Sequence, residues 1–150
     1  MNSNSNISIN DIEYDLNMEK YRQLHNVVLN FSNNSIEIKK MCITTLSAIP
    51  AIIIAFFKNI NITYVIYILL CITLLFYFID VYTYYYQKKL REIMKVIELN
   101  IKNSSNNSFE LSQSLFSKLI KNSFFNYSHL IYYLLIIFLL ISLFIIHNIK

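Results

Sequence analysis

LLFYFIDVYTYYYQKK, residues 74–89, decides how this chain is read. A run of Leu, Phe, Tyr and Ile carries one carboxylate, Asp80, just before four tyrosines and two lysines. Either an apolar segment reaches an interface here, or a charge sits inside it. Upstream, the segment belongs to an apolar block from Ile62 to Tyr82, and two more blocks run from Met41 to Phe57 and from Leu130 to Ile146. The 150 residues are 55% hydrophobic, with one proline and no glycine, and the mean hydropathy is +0.43. That is too apolar for a soluble domain of this length. A bilayer core requires about 20 apolar residues per helix, with a range of roughly 17–25, and all three blocks fit. The chain is therefore expected to be an all-α integral membrane protein.

The placement of charge gives an orientation. Four basic residues (Lys20, Arg22, Lys39, Lys40) precede the first block, and one, Lys58, separates the first two. Seven lie between the second and third blocks: Lys88, Lys89, Arg91, Lys95, Lys102, Lys118 and Lys121. Cytoplasmic loops carry the Lys/Arg excess, so the N-terminus and residues 83–128 are expected inside, and the short 58–61 loop and the C-terminus outside. The basic stretch also favours anionic headgroups. The opening residues MNSNSNISINDIEYD lack the basic and apolar regions of a signal peptide, so the first span is expected to stay in the mature protein.

Four segments follow: a disordered tail and cytoplasmic amphipathic helix over 1–34, a transmembrane hairpin over 35–82, a cytoplasmic stalk and linker over 83–128, and a C-terminal transmembrane helix over 129–150. Leu24, Val28 and Phe31 recur at helical spacing. SNNS (32–35) is expected to end that helix, with Ser35 capping the next. In the first span Thr44, Ala48, Ala51 and Ala55 share a face, expected to pack closely against another helix because small residues let backbones approach. Pro50 is expected to kink this span. The second helix is expected to run unbroken from Ile62 to Lys102, because Leu90, Met94, Ile97 and Ile101 continue its period. At 1.5 Å per residue it would be about 60 Å long, roughly half of it beyond the membrane. The stalk needs a partner for its apolar face, either the 12–31 helix, another subunit or the membrane surface. The third span has one polar group, Ser142, and reads as a lipid-facing anchor, bracketed by His129 and His147 at the interfaces.

Counting from Asp80 in steps of three and four, Thr73, Tyr77, Asp80, Tyr84, Gln87 and Arg91 form one polar stripe. An ionisable residue within a span is a functional hypothesis by default. Two readings stand. Asp80 pairs with Lys39 or Lys40 at the foot of the first span and pins the hairpin, or copies of Asp80 ring an oligomeric pore and attract cations.

Two short motifs carry a resemblance. Asn34, Ser35, Ile38 and Lys39, followed by Ile43, Thr44, Thr45 and Leu46, match an N-S-x-x-I-K element and its step into a first span. Phe76, Asp80, Tyr82 and Arg91 match the end of a second span in register, with Lys88 for Arg, Tyr77 for Trp, Gln87 for Glu and Leu90 for Phe. In these features, over about residues 20–100, the chain resembles the SLATT family of small bacterial membrane effectors. The family core has two spans, so the third would be an added anchor. The resemblance implies an oligomeric, pore-forming or channel-like effector of the bacterial inner membrane. It would act in an anti-phage, abortive-infection setting on a nucleotide second messenger or a regulatory partner.

The residues themselves show no Walker A motif, catalytic dyad or Cys/His cluster, and the absence of glycine removes the usual phosphate loops. No enzyme activity, cofactor, metal or nucleic-acid duplex is expected; membrane lipid and further copies of the chain are the expected partners. Two other functions fit the sequence: a membrane-anchored adaptor recruiting a partner through its cytoplasmic helices, and a holin- or toxin-like peptide.

Overall fold

The computed structural model describes residues 9–56, 61–103, 108–110 and 112–149. The expected tail up to residue 8, most of the 58–61 loop and most of the polar break after Lys102 lie outside the described residues. Among the described residues there are four α-helices: α1 (Ile9–Phe56), α2 (Ile62–Asn103), α3 (Gln113–Phe124) and α4 (Leu130–Ile149), with a 3-10 turn at Tyr127–His129 before α4. No strand occurs among the described residues. Two segments, Ile62–Lys102 and Gln113–Asn148, are long and apolar enough to cross a membrane.

The first correction concerns α1. It runs through SNNS without a break, so the boundary expected at residues 34/35 falls inside one 48-residue helix. Asn and Ser cost an exposed helix only a few tenths of a kcal/mol each relative to better formers, about 0.7 at most. Tertiary packing overrides that. Val28, Ser35 and Cys42 are buried, and their seven-residue spacing carries one contact stripe across the polar stretch. Ser35 is a buried mid-helix residue of that stripe, not a cap. The stripe continues through Leu46, Ile49 and Ile53, which pack on a core of Val65, Ile66, Leu69 and Leu139.

α1 and α2 lie antiparallel along their length. Phe31 stacks on Tyr86 with centroids 6.3 Å apart, Gln87 Nε2 approaches the Val28 carbonyl at 3.5 Å, and the Leu46–Ile53 end meets Val65–Leu69. The stalk thus buries its face against the N-terminal half of α1, through Val28 and Met94.

The small-residue stripe is the second correction. Thr44, Ala48, Ala51 and Ala55 are all exposed on the side of α1 away from α2. Leu46, Ile49 and Ile53 make the contact because they extend the stripe already set by Val28, Ser35 and Cys42, and they bury more apolar area.

α4 lies antiparallel to α2. Its start meets Asp80 through His129, while at the other end Leu143 and His147 line a cavity with Asn61 and Tyr64. It is not simply an anchor, since Tyr132 and Leu139 are buried. Large apolar side chains still point outward, among them Leu75, Phe78, Phe138 and Phe144, each more than half exposed. α3 begins with a Ser112 cap, whose hydroxyl accepts from the Leu115 amide at 3.3 Å, and packs on α2 through Leu119 and Ser123.

The continuity of α1 yields a test. Asn34→Pro should cost about 3 kcal/mol or more, the penalty for proline inside a helix, read as lost helicity by circular dichroism and a lower melting midpoint. A loop at 32–35 would tolerate the same change without loss.

Candidate functional site

Asp80 lies on α2 with no exposed surface, where α1, α2 and the start of α4 converge. An ionised carboxylate can only accept hydrogen bonds, and two neighbouring segments supply the donors. The Ser35 hydroxyl donates to Oδ1. Lys39 Nζ lies 3.0 Å from Oδ2, and His129 Nδ1 lies 3.1 Å from the same oxygen. Nδ1 therefore carries the proton in this contact. Lys39 binds the cluster together, donating also to Ser35 Oγ at 2.8 Å and to Ser128 Oγ at 3.1 Å. Ser35 and Lys39 are four apart on α1 and reach the same point because residues at i and i+4 share a helix face.

Lys40, the other candidate partner for Asp80, points elsewhere and pairs with Glu37 at 2.7 Å. It is one residue from Lys39 and so about 100° around the helix. His129, expected at a membrane interface, is fully buried and belongs to the cluster. The topology expected from the sequence holds the signal for this, because it sets Asp80 at the inner end of the expected second span and His129 at the inner end of the expected third. His147 stays exposed at the opposite end of α4.

Aromatic rings wall the cluster. The rings of Tyr77 and Tyr84 meet His129 edge to face, with centroids 5.7 and 5.6 Å away, a favoured aromatic geometry. Tyr132, fully buried, lies 6.3 Å from the His129 ring. The hydroxyls of Tyr77 and Tyr133 both donate to the Phe124 carbonyl. Phe124 ends α3, where carbonyls lack intrahelical partners, so these tyrosines fasten α3 to α2 and α4. The carbonyl of Asn126 accepts from the His129 amide at 3.0 Å, and its side chain accepts from Ser128 N at 3.2 Å, fixing the turn that presents His129.

The polar stripe is thus an internal seam. Thr73, Asp80 and Gln87 are buried, Tyr77 and Tyr84 are partly buried, and only Arg91 is exposed. Thr73 returns its hydroxyl to the Leu69 carbonyl at 2.8 Å. Within one chain Asp80 is enclosed by its own α1 and α4.

Serine, lysine, histidine and aspartate meet here, but not in a nucleophilic arrangement. Nucleophilic catalysis needs a base beside the serine hydroxyl. Ser35 donates its hydroxyl hydrogen bond to the weakly basic Asp80 carboxylate instead, and an ammonium facing that carboxylate has no lone pair to accept a proton. Among the described residues, no group of three or more His, Cys, Asp or Glu could hold a metal ion. Cys42 and Cys71 are free thiols. Comparison with protein-family models, with curated proteins and with solved structures gives no match for this chain.

Removing one partner of a buried ion pair costs about 3–5 kcal/mol, because the other charge is left uncompensated. Asp80→Asn and Lys39→Met should each destabilise the detergent-solubilised protein by that order. The double variant should cost clearly less than the sum, read from melting midpoints followed by circular dichroism. Additive losses would exclude the pairing.

Proposed function

We propose that this chain is a three-span protein of the bacterial inner membrane that acts as a homo-oligomeric, pore-forming or channel-like effector, with its N-terminus cytoplasmic and its C-terminus outside. The Asp80–Lys39–His129 clamp carries the reading. A buried ionic cluster at one end of an apolar bundle is a costly device where apolar packing would serve for stability alone. It can act as a lock: closed when its donors are in place, open when α1 or α4 withdraws them.

Three features support the membrane placement. The stretches 39–56, 62–80 and 129–147 run side by side between the clamp at one end and the Asn61–His147 cavity at the other. Eighteen or nineteen residues at 1.5 Å rise span about 27 Å, close to a hydrocarbon core of about 30 Å. The outward-facing Leu75, Phe78, Phe138 and Phe144 suit lipid contact. The seven basic residues between the second and third blocks support an orientation with the clamp end inside.

Self-association is supported by the exposed Thr44, Ala48, Ala51 and Ala55 stripe, which would allow close approach of a second copy. The anti-phage setting and the nucleotide or partner trigger rest on the SLATT resemblance alone. Ser35, Lys39 and Asp80, which belong to the matching motifs, are the residues that meet in the clamp. No catalytic role is proposed, since Ser35 and Lys39 are both engaged by Asp80.

The test is induced expression in bacteria with a voltage-sensitive dye, followed by ion flux from liposomes holding the purified protein. The triggered protein should collapse the membrane potential. His129→Phe, which keeps the Lys39–Asp80 pair but frees the start of α4, should do so at lower expression than the unaltered chain. Intact potential and growth at full induction with the partner present would overturn the reading.

A further inference from the structure

Between the stalk half of α2 and α3 lies a cavity of about 460 Å³, lined by Lys88, Arg91, Glu92, Lys95, Lys118 and Asn122 among others. Lys88, Arg91 and Lys95 are three and four residues apart and share one face of α2. Lys118 arrives from α3. Its position is imposed by other contacts: α3 buries Leu119 and Ser123 against α2, and its last carbonyl is held by Tyr77 and Tyr133. The fold therefore gathers four cations around one space. Glu92 compensates one of them, lying 2.8 Å from Lys95. Lys88 rests over the Tyr84 ring at 5.1 Å. Arg91 and Lys118 have no carboxylate partner among the described residues.

Membrane orientation requires only that basic residues be numerous in the loop; it does not require two helices to aim them into a common cavity. Like charges held together repel, and an anion between them removes that repulsion. The donor set suits a phosphate. A guanidinium can grip two phosphate oxygens at once, lysines act as point charges, and the Asn122 amide adds a neutral donor. Lys88 lies eight residues beyond Asp80, about 12 Å along the helix, just past the Tyr82–Tyr86 cluster, and its long side chain can reach back toward the headgroup layer. The same α2–α3 junction carries an apolar groove of about 420 Å³ on its membrane-ward side, lined by Phe78, Val81, Tyr85, Phe116 and Ile120 among others.

We propose that the α2–α3 cavity binds the phosphate of an anionic membrane-lipid headgroup, with an acyl chain of that lipid in the adjoining groove. This rests on the reading of α2 as a membrane span. The phosphate is the recognised chemistry, and a free phosphate would satisfy the same cations without using the groove.

The full-length protein is reconstituted into phosphatidylcholine nanodiscs, where co-elution and retained helicity test the span reading by itself. It is then moved to discs containing phosphatidylglycerol or phosphatidic acid, and lipids retained after detergent extraction are counted by native mass spectrometry. The anionic lipids should be retained over phosphatidylcholine. Arg91→Ala with Lys118→Ala should weaken retention by about 25-fold, at roughly fivefold per cation. Lys20→Ala with Arg22→Ala, on the exposed face of α1, should change it by less than about twofold. Displacement of the lipid by inorganic phosphate, with direct phosphate binding in detergent that the Arg91/Lys118 variant lacks, would assign the site to free phosphate and overturn the lipid source. Equal retention of both ligands by that variant and the unaltered chain would overturn the site altogether. Should the protein fail to enter neutral discs, the span reading falls, and the phosphate titration in detergent still decides the cavity.

Discussion

A carboxylate shut away from water must find its hydrogen bonds inside the protein, and this requirement organises the molecule around Asp80. Its two oxygens take donors from Ser35 and Lys39 on α1 and from His129 at the start of α4, all remote from Asp80 in sequence. Apolar packing alone is non-directional and would allow α1, α2 and α4 to slide along one another. The cluster forbids that, because a slip of even one residue would leave a buried charge unpaired. Lys39 is suited to the position, since its side chain keeps 19% of its surface exposed and so retains some hydration while reaching inward. The cluster therefore fixes register more than it adds stability.

Much of this was legible in the chain itself. The second helix runs from Ile62 to Asn103, one residue beyond its expected end, because Leu90, Met94 and Ile97 continue the period set within the apolar block. The short KNIN connection required neighbouring antiparallel helices. The steps of three and four from Asp80 identified a polar stripe, and five of its six residues turn inward. The features that escaped depend on contacts distant in sequence. Asn and Ser in SNNS favour turns locally, and nothing nearby reveals that α2 offers a continuous surface to hold them helical. Small residues at Thr44, Ala48, Ala51 and Ala55 meet the requirement for close packing as well as any set, but the Val28–Ser35–Cys42 stripe had already determined which side of α1 faces α2. His129 lies 49 residues from Asp80, and only a three-dimensional arrangement brings the two into contact.

The distribution of polarity inverts that of a soluble helical protein. Outward positions on residues 62–79 of α2 and on α4 are mostly Leu, Ile, Phe and Tyr, while Asp80, His129 and Thr73 have no exposed surface. Such an arrangement suits apolar surroundings, where internal polar groups must find partners inside the protein. Asp80 and Thr73 do so, while His129 Nε2 and the Tyr132 hydroxyl are buried without a hydrogen-bond partner among the described residues. The same reasoning explains the returned hydroxyls: Thr73 and Ser142 each donate to the carbonyl four residues earlier, so neither presents an unmet donor.

α3 occupies an intermediate place in this scheme. It is too short and too polar to span a membrane, yet it is capped by Ser112 at its start and tied to α2 and α4 at its end by Tyr77 and Tyr133 on the Phe124 carbonyl. Only the turn through Asn126 separates Phe124 from His129, and two hydrogen bonds to Asn126 stiffen that turn. Tyr77 contributes to both structures, holding the end of α3 through its hydroxyl and the His129 ring through its edge-to-face contact. The basic cavity and the Asp80 cluster are thus built on shared elements. A displacement of α3 along α2 cannot leave His129 where it is without breaking the Phe124 carbonyl contacts or unwinding the Tyr127–His129 turn. The buried charge on α2 consequently constrains the basic α2–α3 end of the molecule as well as its apolar bundle.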